Sequence, residues 1–179
     1  MEGDRHHVAG PAREPSRRAW SPGGRLLGLD VGGRRIGIAV SDEHGMIASP
    51  VGYVRRGTHE RDELYALILR WSPTALIVGL PTGLSGREGP QAADVRGFAK
   101  DELARFGLPL HFWDERLTTI IAERALIARG TRREARKEQI DAMAAAVILQ
   151  DYLDSERARH ARGRRASGLR PQGQTDSDA

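Results

Sequence analysis

The sequence predicts an α/β fold in which a mixed sheet is covered by helices. Three observations predict it. Three short apolar or alternating segments follow one another early, separated by glycine turns. Two further apolar segments are each preceded by a helical stretch. The chain then closes on an alanine-rich helix. Hairpin-type connections followed by helical crossovers give antiparallel pairing first and parallel pairing later. A doubly wound nucleotide fold would alternate strand and helix from the start, and this chain does not.

Each element has a local reason. Residues 25–31 (RLLGLDV) form an apolar run ended by Gly32-Gly33, a turn signal. Ile36, Ile38 and Val40 alternate with small residues at period two, which reads as a strand paired to the first in a hairpin. His44-Gly45 turns the chain into a third strand over Met46–Arg55. Residues 59–70 place Leu64, Leu67, Ile68 and Trp71 on one helical face. Thr74–Leu80 (TALIVGL) is a buried type of strand, stopped by Pro81. A second helix is expected over Glu88–Phe106, a fifth strand over Leu108–Trp113, a helix over Leu117–Arg129 ended by Gly130, and a last helix over Lys137–Leu153.

Three segments are expected: a disordered Arg/Pro-rich extension (1–24), one compact domain (25–154) and a disordered basic tail (155–179). The formal charge is +4. Of the 28 basic and 24 acidic residues, ten and six lie outside residues 25–154, which leaves 18 of each inside. The excess belongs to the termini, so net charge says little about what the domain binds. Cysteine is absent, which excludes disulfides, thiol nucleophiles and cysteine zinc sites. The six histidines are scattered, with no zinc-type spacing. No apolar run approaches the ~20 residues of a membrane span, and the first residues lack the apolar stretch of a secretory signal. A cytoplasmic location is the expectation.

Three carboxylates stand out. Asp30 ends an apolar strand, where an unpaired charge is costly. A turn-capping role is the ordinary alternative. Asp141 opens the last helix yet falls in its apolar arc, among Ile140, Ala144, Ala145, Ile148 and Tyr152. An interaction with the helix dipole would explain its axial position but not its face. Ala142, Ala144, Ala145 and Ala146 would let this helix lie close to the sheet, with Asp141 near Asp30. Glu115 follows the fifth strand within Asp114-Glu115-Arg116; taken alone it reads as a loop residue before a helix capped by Thr118 or Thr119. Together the three acids form the kind of oxygen-rich set that suits Mg²⁺ or Mn²⁺ in phosphodiester hydrolysis.

The segments GLDVGGRRIGIAVSD, LIVGLP, DERLTT and IDAMAAAVILQDYL, in this order and spacing, resemble the YqgF family, also called RuvX. Its members are named as Holliday-junction resolvases and as nucleases that mature the 5′ end of precursor small-subunit ribosomal RNA. The resemblance covers about residues 25–153. It implies an RNase H-like fold with a five-stranded sheet in the order 3-2-1-4-5. It implies a catalytic and metal-binding set of Asp30, Glu115 and Asp141. It also implies nucleic-acid contacts from Arg34, Arg35, Arg116, Thr118, Thr119 and Lys137. Arg116 could instead pair with Asp114. Two departures bear on the site: Thr82-Gly83 stands where members usually carry an Asn, and Glu115 follows the fifth strand, two places from Asp30.

The implied function is a metal-dependent nuclease acting on precursor ribosomal RNA or branched DNA, associated with ribosomal particles and acting as a monomer or homodimer. Two other classes compete with it. A non-catalytic RNA-binding assembly factor is compatible with the neutral domain. A phosphoryl-transfer ATPase is suggested by the likeness of GLDVGG to a phosphate loop, but one lobe is too small and Gly83–Gly89 lacks the Gly-Lys-Ser/Thr ending.

Overall fold

The computed structural model describes residues 23–82, 87–114 and 133–166; of residues 133–138 and 164–166 it describes the backbone alone. The expected N-terminal extension up to residue 22, the expected helix over Leu117–Arg129 and the tail beyond 166 lie outside the described residues.

Five strands form one sheet in the order β3-β2-β1-β4-β5. They are β1 (Leu26–Val31), β2 (Arg35–Ser41), β3 (Ala48–Arg55), β4 (Ala75–Leu80) and β5 (Leu110–Asp114). The pairs β1/β2 and β2/β3 are antiparallel, and β1/β4 and β4/β5 are parallel. This is the RNase H-like order. Three helices are described: α1 (Glu60–Trp71), α2 (Pro90–Asp101) and the long α3 (Arg133–Ala166).

Strand alternation sorts the side chains into two cores. Leu27, Leu29, Ile36, Ile38, Leu76 and Val78 face α1 and α2, with Leu64, Val95 and Phe98 covering them. On the opposite face Leu26, Ala39, Ala75 and Ile77 meet Ala145, Ile148, Leu149 and Tyr152 of α3. Leu26, Gly28 and Asp30 share one side of β1, so Asp30 lies on the α3 face, one position from the strand end.

Three elements differ from the sequence reading. The expected second helix is split into α2 and a short 3₁₀ turn, Leu103–Phe106. Pro90 sets the start of α2, because its fixed φ and missing N–H suit the first helical turn. β3 begins at Ala48 rather than Met46, because Asp42 Oδ1 accepts hydrogen bonds from the backbone N–H groups of Met46 and Ile47, at 2.6 and 3.1 Å, and holds them in the turn. The last helix, expected over Lys137–Leu153, runs over Arg133–Ala166. Residues beyond Ser155 are poor in apolar side chains but are good helix formers. They are supported by ion pairs between Arg157 and Asp154 and between Arg159 and Glu156. The Glu156 side chain is buried.

Candidate active site

The carboxylates of β1 and α3 are brought together by glycine. Asp30 pairs across the ladder with Gly37 of β2. A Cβ on Gly37 would fall inside the van der Waals envelope of the Asp141 backbone carbonyl. A Cβ on Gly28 would lie 2.8 Å from Leu149 Cβ and 3.1 Å from the Ala145 carbonyl oxygen. The two glycines therefore let the Asp141–Leu149 stretch of α3 sit directly on β1 and β2, and only a residue without a side chain fits there. Gly79 follows Val78, the partner of Leu29, so β4 also carries glycine beside Asp30. The acid stands on a floor with no neighbouring side chains in its own row.

The electrostatics record the closeness. The Asp30 carboxyl is pushed up to about 6 from an ordinary value of 3.8, first by burial and second by the charge of Asp141. Asp141 in turn is held by Arg35, whose Nε lies 2.6 Å from its Oδ2. Arg35 is on the α3 face of β2, two residues from Gly37. Its guanidinium also sits 5.3 Å from the centre of the Tyr53 ring. Arg34 is exposed beside the β1–β2 turn.

The other expected site residues divide in two. Glu115, Arg116, Thr118 and Thr119 lie outside the described residues. Lys137 is placed by its backbone, one turn before Asp141 on α3. The approach to Glu115 is nevertheless well fixed. Trp113 Nε1 donates to Asp151 Oδ2 at 2.8 Å, and its ring meets Tyr152 edge to face. The Thr82 hydroxyl bonds the Asp114 carboxylate, so the residue that departs from the family pattern still ties the β4 end to the DER segment.

A divalent cation fits what is present. Mg²⁺ is commonly held by one or two carboxylates with water and substrate phosphate completing its shell. The mutual repulsion of Asp30 and Asp141 is the strain such a cation relieves. Among the described residues no group of three or more acidic, histidine or cysteine side chains that could hold a metal converges.

Sequence reasoning found the two acids and Arg35 but missed Gly37, Gly28 and Tyr53. The glycines did carry a signal, since each interrupts a strand that otherwise favours larger side chains. Tyr53 gave none, because its importance depends on pairing across the sheet.

A five-stranded mixed sheet of this order, with a carboxylate on its central strand and another two turns into the helix that crosses it, is the RNase H-like arrangement. Residues 24–155 match the family described as RuvX: Holliday junction resolvase, and the chain belongs to that family. A protein of Moorella thermoacetica named "Putative pre-16S rRNA nuclease" is 46% identical over 132 residues, covering 73% of this chain and 94% of that one. A protein of the same name from a Roseiflexus species is 45% identical over 137 residues, covering 75% and 96%. Among solved structures, the yeast mitochondrial Holliday junction resolvase Ydc2 is similar over 83% of this chain and 85% of that one, at 12% identity and a TM-score of 0.49.

Proposed function

We propose that this protein is a metal-dependent endonuclease that hydrolyses phosphodiesters in structured nucleic acid, with the precursor of small-subunit ribosomal RNA as its substrate. The observation that carries the reading is the approach of Asp141 to Asp30 across Gly37, close enough for the Asp141 charge to help raise the Asp30 carboxyl. The names of the relatives from Moorella and Roseiflexus support the choice of substrate. Among the described residues no helix is long and apolar enough to cross a membrane.

Asp30 and Asp141 would hold Mg²⁺ or Mn²⁺, with Glu115 as the third ligand. When bound, the cation supplies Lewis acidity, polarising the phosphodiester and easing deprotonation of the attacking water. Asp30, half-shielded from solvent, keeps a high effective charge in this site. Arg35 can turn from Asp141 to a phosphate oxygen, since both partners are acceptors of the same geometry. Lys137, Arg34 and Arg116 would track the backbone of the strand, and Thr118 and Thr119 would donate to it.

The test is cleavage of a precursor RNA carrying the mature 5′ end, with Mg²⁺ or Mn²⁺, by wild type and by Asp30→Asn, Glu115→Gln and Asp141→Asn. Each variant should fold and lose cleavage. Full activity of Asp30→Asn would end the proposal. The family's description favours a second substrate, a four-way DNA junction, and a side-by-side assay on both decides between them. RNA binding without any metal-dependent cleavage would instead identify a non-catalytic assembly factor.

A further inference from the structure

Beside the carboxylates lies a second feature that the hydrolytic reading does not use. Tyr53 of β3 pairs with Gly37, and Gly37 pairs with Asp30. The three residues form one row across three strands. Directly paired residues share a face, and Gly37 faces α3, so Tyr53 lies on the same face as the acids. Adjacent strands are about 4.8 Å apart, which puts Tyr53 roughly 10 Å from Asp30 in backbone terms. The Asp141 backbone lies over Gly37, between the two, and Arg35 bridges the gap, its guanidinium meeting both the Asp141 carboxylate and the Tyr53 ring. Arg35 and Arg55 form the next pair of the same ladder. Both guanidinium groups lie near the Tyr53 ring, at 5.3 and 5.9 Å from its centre, and Arg55 is exposed. Arg35 is tied to Asp141, so it fixes the ring's position relative to the acid pair.

An aromatic ring flanked by cations, one short step from a phosphodiester site, has the chemistry of a nucleotide subsite. Bases stack on aromatic rings and guanidinium planes, and phosphates take the charge. Such stacking needs a base that is not already stacked in a duplex. We propose that Tyr53 and Arg55 form a subsite for an unpaired nucleotide of the strand being cut, with its base stacked on Tyr53 and its phosphate held by Arg55. The enzyme is thereby directed to single-stranded positions next to the scissile bond. This inference rests on the nucleic-acid reading above and adds a preference for unpaired strand to it.

The test uses the full chain and an oligonucleotide containing 2-aminopurine, whose fluorescence falls on stacking. It is offered as single-stranded RNA, as single-stranded DNA of the same sequence, and as a duplex. Tyr53→Ala and Tyr53→Leu should weaken single-strand binding roughly tenfold and remove the quenching, while Tyr53→Phe and Tyr53→Trp keep both. Arg55→Ala should weaken binding and flatten its salt dependence. Duplex affinity should be unchanged in all variants. Equal losses on RNA and DNA assign the contact to the base, and a loss on RNA alone assigns it to the ribose. Wild-type affinity in Tyr53→Leu, or the same loss on duplex as on single strand, would overturn the subsite. The two ideas fail separately: a wild type that never cleaves but binds through Tyr53 removes the nuclease reading and leaves this one.

Discussion

The backbone carbonyl of Asp141 rests against the Cα of Gly37, closer than any side chain at position 37 would allow. Through the pairing of Gly37 with Asp30, this contact sets the distance between the two acids. Gly37→Ala should therefore lift α3 off the sheet at Asp141. Overpacking a tight core costs about 1–3 kcal/mol, and a backbone neighbour cannot rotate away, so the upper end is expected. Cleavage should drop far more than stability, because the acids separate. Gly28→Ala meets Leu149 Cβ at 2.8 Å and the Ala145 carbonyl oxygen at 3.1 Å, one to two turns further along α3 from Asp141, and should cost stability with much less loss of rate. Comparing thermal melts with single-turnover rates for the two variants checks this. Equal effects on rate would show that the contact does not set the site.

Asp30 makes the site a source of instability that depends on pH. Its carboxyl is raised to about 6 by burial and by Asp141, so the folded protein holds that proton more tightly than the unfolded chain. Folding takes up a proton between the ordinary value of 3.8 and about 6. Stability contributed by the neutral form is complete below that window and is lost as pH rises through it. At about 1.4 kcal/mol per pH unit, the ionised site costs up to about 3 kcal/mol at pH 7.5. Asp30→Asn should then melt several degrees higher than wild type at pH 7.5 without metal, and the advantage should shrink by pH 5. Mn²⁺ should stabilise wild type but not the variant. A melting advantage that is the same at both pH values would contradict this account.

Arg35 and the cation compete for one carboxylate oxygen. The guanidinium holds Asp141 Oδ2 at 2.6 Å, with both side chains about a quarter exposed. Removing the charge should favour the cation and disfavour the strand. Arg35→Ala is expected to bind Mn²⁺ roughly tenfold more tightly in the absence of nucleic acid and to raise KM for the substrate. Titration calorimetry with Mn²⁺ and steady-state kinetics measure the two effects. Weaker Mn²⁺ binding in Arg35→Ala would mean that the arginine positions Asp141 for the metal rather than occupying its place.

Much of this arrangement was legible in the chain. Period-two alternation at Ile36, Ile38 and Val40 fixed β2 and its inward face. The position of Asp141 in the apolar arc of its helix, with small alanines after it, told which acid points at the sheet. Two kinds of information were not there. Tyr53 and Asp30 are related only through two successive pairings, each with Gly37, and a bulge between Ile38 and Ala39 shifts the register that would relate them. The extent of α3 was also hidden, because apolar periodicity fades after Leu153 while helix propensity and ion pairs persist.

That helical extension should matter to stability. Glu156 is only 1% exposed. It pairs through Oε1 with Arg159 at 2.7 Å, and its charge is felt by His111 of β5 and by Tyr152. Tyr152 also packs on both Trp113 and His111, so the last turns of α3 brace the strand that leads to Glu115. Arg159→Ala removes the ion-pair partner that a buried carboxylate has among the described residues, and breaking such a pair costs about 3–5 kcal/mol when both partners are buried. Because Arg159 is itself mostly exposed, water takes over part of its role and a loss nearer 1 kcal/mol is expected. Ending the chain after Asp154 removes the pair and the turns around it, and should lower the melting temperature more than Arg159→Ala does. Glu156→Gln keeps the shape without the charge and should recover most of the stability lost in Arg159→Ala when the two are combined. A truncated chain that melts with wild type would show that these turns carry no part of the fold.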